Sequence, residues 1–165
     1  MNRQISTYID ENMATYSDTA IRKHINNQFN DTTFRNACRC GKLLVDVIVE
    51  SYKNYGSKLI LTSMLRVPEL NETVGGSKTS RHCFGDAADI NIKGITQKQL
   101  FNDIISGKIK NKDNIPLKNI IDQVIYEGTW VHVALNSSSA KPRNMFLVAH
   151  FTPNGVSYTE VCNEI

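Results

Sequence analysis

At 165 residues, 41% of them hydrophobic and 21% charged, the chain has the size and composition of one globular domain able to bury its own core. Its net charge of +3 is mild and the basic residues are scattered, which leaves no electrostatic footprint for nucleic acid. No apolar run approaches the roughly 18 residues of a membrane span, and the opening MNRQISTYIDENMATYS has no apolar centre of signal-peptide length. A single domain over residues 1–165 is expected, with 1–16 as an N-terminal extension, made in the cytoplasm and without stable membrane association.

In chain order, SDTAIRKHINNQ reads as a short helix led by a Ser/Asp cap, and NDTT as a polar loop after it. A long helix is expected from near Thr33: Phe34, Ala37, Gly41, Leu44, Ile48, Tyr52 and Tyr55 recur three or four apart as one apolar stripe. Gly56 stands where that helix would stop. KLILT reads as a strand, and SMLRVPELNETVGGSKTSRH as a loop long enough to be functional. ADINI alternates, Asp89 and Asn91 facing one way and Ala88, Ile90 and Ile92 the other. TQKQLFNDIISG is a helix with Thr96 and Gln99 at capping-box spacing. IDQVIYE and WVHVAL are strands separated by Gly128 and Thr129, and MFLVAHF with VSYTEV forms a hairpin about TPNG. Helices and strands segregated in this way predict an α+β fold, an antiparallel sheet with helices packed on one side.

The four cysteines are expected as thiols, since Cys38-x-Cys40 is one residue short of a zinc-knuckle pair and has no second pair.

The hairpin carries the chemistry. A Gly-X turn at Gly128-Thr129 sets Glu127 opposite Trp130 and Ile125 opposite His132, so Gln123, Glu127, Trp130 and His132 share a face. Glu127 and His132 are then diagonal neighbours, roughly 7–8 Å apart at the backbone. His82, Asp89 and His132 would supply two imidazoles and one carboxylate, the three-ligand set of a catalytic zinc site. Glu127 would take the proton of the attacking water. Gly85 allows a tight turn between the first two ligands, and Ala87 and Ala88 leave room around them. Taken alone, the H-x6-D spacing is better served by a loop-capping histidine, an aspartate paired to a lysine and a satisfied strand histidine, and only the whole pattern shifts that balance. His24 and His150 are read in that ordinary way.

Ser80, His82, Gly85, Ala87 and Asp89, followed by Trp130 and His132, form the pattern S-x-H-x-x-G-x-A-x-D … W-x-H. With Arg66, Pro68, Asn71, Val74, Gly75 and Gly76 before it, the chain resembles the zinc D-alanyl-D-alanine carboxypeptidase family, of the Hedgehog/DD-peptidase fold, and most of all its short phage-type murein peptidases. The resemblance implies that His82, Asp89 and His132 ligate zinc and that Arg66 meets substrate, steadying the oxyanion of the tetrahedral intermediate. It gives Ser80 a part in orienting substrate. Many members place the catalytic acid three residues before the last histidine, where this chain has Thr129. Glu127 is the nearby carboxylate, with Asp86 in reserve.

The expected function is a zinc peptidase that cuts peptidoglycan stem peptides at D-Ala-D-Ala or L-Ala-D-Glu bonds, for phage or prophage lysis or for wall penetration. It would act on the wall after release or as part of a virion, with a separate membrane-permeabilising phage protein as partner. The alternative is a non-catalytic zinc-binding or cell-wall-binding module, or a virion structural protein, for which Thr129 is the best support.

Overall fold

Short polar side chains open the first three helices of the chain. The computed structural model describes residues 2–53 and 58–165. Asp10 caps α1 (Glu11–Thr15) by accepting from the Met13 N–H, and Ser17 caps α2 (Asp18–Lys23) by accepting from the Ala20 N–H. Asn30 caps α3 (Asp31–Cys40) in a reciprocal box with Thr33. NDTT is therefore the first turn of the long helix rather than a loop before it, because these side chains satisfy N–H groups that the helix leaves free.

The helix runs on through a π-turn over Gly41–Val45 into α4 (Asp46–Ser51). Its stripe is buried as the periodicity requires, with Ala37, Leu44 and Ile48 wholly inaccessible and Tyr52 at 4%. Tyr55 and Gly56, where the stripe and its stop were expected, lie outside the described residues. Residues 2–16 pack as part of the domain: Ile5, Ile9 and Ala14 join the core, and the Ala14 carbonyl accepts from the Leu65 N–H at 2.9 Å.

Six strands follow: β1 (Leu59–Ser63), β2 (Ala87–Ile92), β3 (Gln123–Tyr126), β4 (Val131–Ala134), β5 (Met145–Thr152) and β6 (Gly155–Glu160). They form one sheet in the order β1-β2-β4-β3-β5-β6. Every pairing is antiparallel except β3 with β5, which is parallel. That pair departs from the wholly antiparallel expectation. The β3–β4 hairpin takes β4 to one side of β3, and the chain then returns to the start of β3 on its other side, where Met145 N–H donates to the Asp122 carbonyl at 2.9 Å.

Ala88, Ile90, Ile92, Val124, Val131 and Val133 turn one face of the sheet onto the long helix and α6 (Gln97–Ile105), forming the main core. The α+β architecture, with helices packed on one side of the sheet, is as expected. The stretch between β1 and β2 is not a bare loop but holds α5 (Pro68–Thr73), with proline in the first turn, and a 3₁₀ turn over Arg81–Phe84. All four cysteines are free thiols. Among the described residues no helix is long and apolar enough to cross a membrane.

Candidate metal centre

The opposite face of the sheet collects the chemistry. Asp89 on β2 stands directly opposite His132 on β4, and His132 opposite Ile125 on β3, so both predicted ligands share the face turned away from the main core. His82 arrives from the 3₁₀ turn that leads into β2. That turn closes at Gly85, whose φ of +77° is left-handed, and a Cβ there would stand 2.3 Å from the Thr33 carbonyl oxygen on α3. Only glycine allows the ligand loop to lie this close to the helix. Gly85→Ala is expected to cost about 2 kcal/mol or more, from backbone strain and overlap together, and to weaken metal binding. Urea unfolding of the metal-free protein and a zinc titration check both.

His82 Nε2 lies 3.1 Å from Asp89 Oδ1 and 3.2 Å from His132 Nδ1, and His132 Nδ1 lies 2.8 Å from Asp89 Oδ1. All three residues are buried. His82 Nδ1 lies 2.7 Å from the Met64 carbonyl oxygen. A carbonyl can only accept, so Nδ1 carries the proton and Nε2 presents a bare lone pair to the cluster. Burial pushes His82 below its usual pKa, against the pull of Asp89. Burial would by itself raise the Asp89 carboxyl, but its interactions with His82 and His132 more than offset this and hold it well below the usual carboxylate range. The triad sets two imidazoles around a carboxylate that stays ionised.

Three possible ligand atoms, His82 Nε2, Asp89 Oδ1 and His132 Nδ1, therefore converge in a buried space. A cation satisfies all three. Tetrahedral zinc with bonds of about 2.0–2.1 Å puts its ligand atoms roughly 3.3 Å apart, close to the spacing found here. His82, Asp89 and His132 fit a single zinc ion, with His82 bonding through Nε2 and His132 through Nδ1.

Asp89 divides its oxygens. Oδ1 faces the imidazoles, and Oδ2 accepts from Arg66 Nη2 at 3.0 Å. Arg66, expected to meet substrate, is thus tied to a metal ligand as well, while its Nε is buried with no hydrogen-bond partner. Glu127 sits where the hairpin argument put it: Gly128 has φ +77°, and the Glu127 N–H donates to the Trp130 carbonyl at 3.1 Å. Its half-buried carboxyl is raised above the usual value, first by burial and then by the charge of Asp89, with His132, Trp130 and Arg66 opposing. The Trp130 indole N–H acts on Glu127 as a nearby donor, but it is buried and closes no hydrogen bond of normal geometry.

Thr129 is exposed at the turn, its carbonyl accepting from Asn91 Nδ2 at 2.9 Å. Asp86, the reserve base, is 1% exposed and clamped between Arg39 at 2.8 Å and Arg81 at 2.5 Å, which makes it a structural ion pair at the foot of β2. Ser80 is half-buried and precedes the 3₁₀ turn without capping it through its side chain. His24 is exposed in a left-handed helix end, and His150 is exposed beside Thr159, so both are as ordinary as expected.

Two residues were missed. Asn27, 4% exposed, donates to the Leu65 carbonyl at 2.9 Å and accepts from the Val67 N–H at 3.0 Å, so it grips the chain on both sides of Arg66. Asn71, 3% exposed, donates to the Ser77 carbonyl at 2.8 Å and folds the stretch before Ser80. Asn71 lay within a recognised motif and could have been found there. Nothing in the sequence marked Asn27.

No curated protein matches the chain. The sequence profile of the family described as peptidase M15 matches residues 16–115, more than half of the chain and inclusive of Arg66, His82 and Asp89. The match ends before His132, which β4 carries back beside Asp89. The chain belongs to the peptidase M15 family and is a zinc-dependent peptidase.

Proposed function

We propose that the protein hydrolyses peptide bonds of peptidoglycan stem peptides, at D-Ala-D-Ala or L-Ala-D-Glu, as a phage or prophage enzyme of lysis or wall penetration. The observation that carries this reading is the buried His/Asp/His cluster with a partly desolvated carboxylate, Glu127, on the same open face of the sheet. Zinc, when bound, polarises the scissile carbonyl and brings the pKa of water toward neutrality.

The chain's own groups do the rest. Glu127 removes the proton of the attacking water and passes it to the leaving amine. Its raised pKa suits that exchange, because a base works best when its pKa lies near the working pH. Arg66 offers the exposed part of its guanidinium to the oxygen that gains negative charge, while Nη2 keeps Asp89 oriented. Access to the wall comes by release at lysis, through a membrane opened by a separate phage protein, or by carriage in a virion.

Digestion of purified murein by the zinc-loaded protein, with products identified by mass, tests the proposal. Release of D-alanine and release of peptides beginning with D-glutamate distinguish the two bonds, and intact murein with intact stem peptides rejects both.

Arg66→Ala is expected to lower turnover on the order of a hundredfold, as a lost charge-assisted contact in the transition state does. It should also weaken zinc about tenfold, because Asp89 Oδ2 loses its partner. Lysine should restore little of either. Stem-peptide kinetics and competition with a chelator measure the two losses separately, and near-normal turnover would return Arg66 to a purely structural part.

A further inference from the structure

Cross-strand register carries the face that holds the triad well beyond it. Ile125 pairs with both His132 and Leu147, and Leu147 pairs with Glu160, so the metal-bearing face continues across β5 to β6. Two residues farther along each strand, the same register extended past the end of β3 sets Trp130, Glu127, Ala149 and Tyr158 in the next row of that face. Beyond it Phe151 pairs with Val156 on the same face. Tyr158, Phe151 and Val156 are 50%, 64% and 45% exposed. Ala149, with a single-carbon side chain, sets a low point in its row between Glu127 and Tyr158, the trough of this face. The two side chains sense one another across it, since the Glu127 charge, after partial burial, raises the Tyr158 phenol.

We propose that Tyr158, Phe151, Val156 and the Ala149 trough form a platform for the glycan of the substrate, seating a pyranose ring while the attached peptide reaches Glu127 and the triad. The proposal rests on the reading of the site as a murein peptidase. An exposed tyrosine and phenylalanine beside a shallow apolar floor present what the C–H face of a sugar ring packs against, and Glu160 at the rim can accept from its hydroxyls.

The spacing agrees. Strands lie about 4.8 Å apart, so β6 stands roughly 10 Å from β3 and roughly 14 Å from β4. An extended residue spans at most about 3.6 Å, so a few residues of stem peptide bridge the gap between platform and triad. Continuity with the catalytic face argues for substrate over an unrelated partner, because a molecule covering this strip would also overhang Glu127.

The test compares the zinc-loaded wild type with Tyr158→Ala and with Ala149→Leu, which keeps the aromatic but fills the trough. The quantity read is the ratio of kcat/KM on a glycan-linked stem peptide to that on the same peptide without sugar. Both variants should lower this ratio about tenfold, the size of one lost aromatic contact. Calorimetric titration with an N-acetylglucosamine tetramer should show binding to the wild type that weakens in both variants.

An unchanged ratio overturns the platform while leaving the peptidase reading intact. If the wild type cleaves neither substrate, the peptidase reading fails, and the absence of heat with the sugar tetramer then overturns the platform independently. Conversion of a wild-type dimer to a monomer by Tyr158→Ala, with the ratio unmoved, also overturns it and assigns the strip to self-association.

Discussion

Glu127→Gln should retain one zinc per chain and lose ~10²–10⁴-fold in stem-peptide hydrolysis, the usual worth of a general acid–base group. The substitution keeps the shape of the side chain and its place at the end of β3, where the backbone N–H of residue 127 bonds to Trp130. It removes only the ability to gain and release a proton. Glu127 is not one of the three converging donors, so metal content measured by mass spectrometry should not fall. Asp86→Asn is the informative contrast. Its carboxylate is held by Arg39 and Arg81, so that variant should show its loss in the unfolding midpoint, with kcat of the folded fraction near normal. The reverse pattern, with Glu127→Gln active and Asp86→Asn folded but inert, would move the base to Asp86.

His132→Ala should abolish stoichiometric zinc and activity together. It removes Nδ1 from the cluster and leaves two donors where a catalytic zinc site needs three. A ligand that binds only the folded state stabilises it by about 2.7 kcal/mol at a hundredfold excess over Kd, so the wild type should show a zinc-dependent rise in Tm that the variant lacks. His82→Ala should go further. It also strands the Met64 carbonyl, buried with its donor gone, at a cost of about 1–3 kcal/mol visible even without metal. Equal metal-free stabilities for the two variants would show that the Met64 contact contributes nothing measurable, and full zinc occupancy in His132→Ala would take that histidine out of the site.

The parts of this site legible in the sequence follow from local rules. A two-residue Gly-Thr turn dictates which side chains of β3 and β4 share a face, so Glu127 could be set beside His132 before any fold was known. The alternation of ADINI likewise put Asp89 and Ile90 on opposite faces, and Ile90 is the one that joins the core. What could not be read depends on long-range closure. The parallel β3–β5 pair arises from the return of the chain after β4, and neither strand carries a mark of it. The Arg66–Asp89 contact spans 23 residues, and the Asn27 grip on Val67 spans 40, so no spacing rule reaches either. Residues 30–33 failed for the opposite reason: the side chains that make a good polar loop also make a good helix cap, and only the helix behind them decides.

The order of the strands also bears on how the protein comes to hold its metal. His82 and Asp89 sit on one continuous piece of chain, but His132 joins them only when β4 pairs with β2, and β5 lies on the far side of β3. Pairings between distant segments carry a loop-closure entropy that must be met before their contacts form, and they are slow relative to hairpins and helices. Until β2 and β4 meet, the chain offers zinc one imidazole and one carboxylate, a weak and easily exchanged pair. Tight capture is therefore a late event in folding. Neither the long helix nor the β3–β4 hairpin holds the full ligand set, so dependence on metal is expected to fall on the β2–β4 pairing.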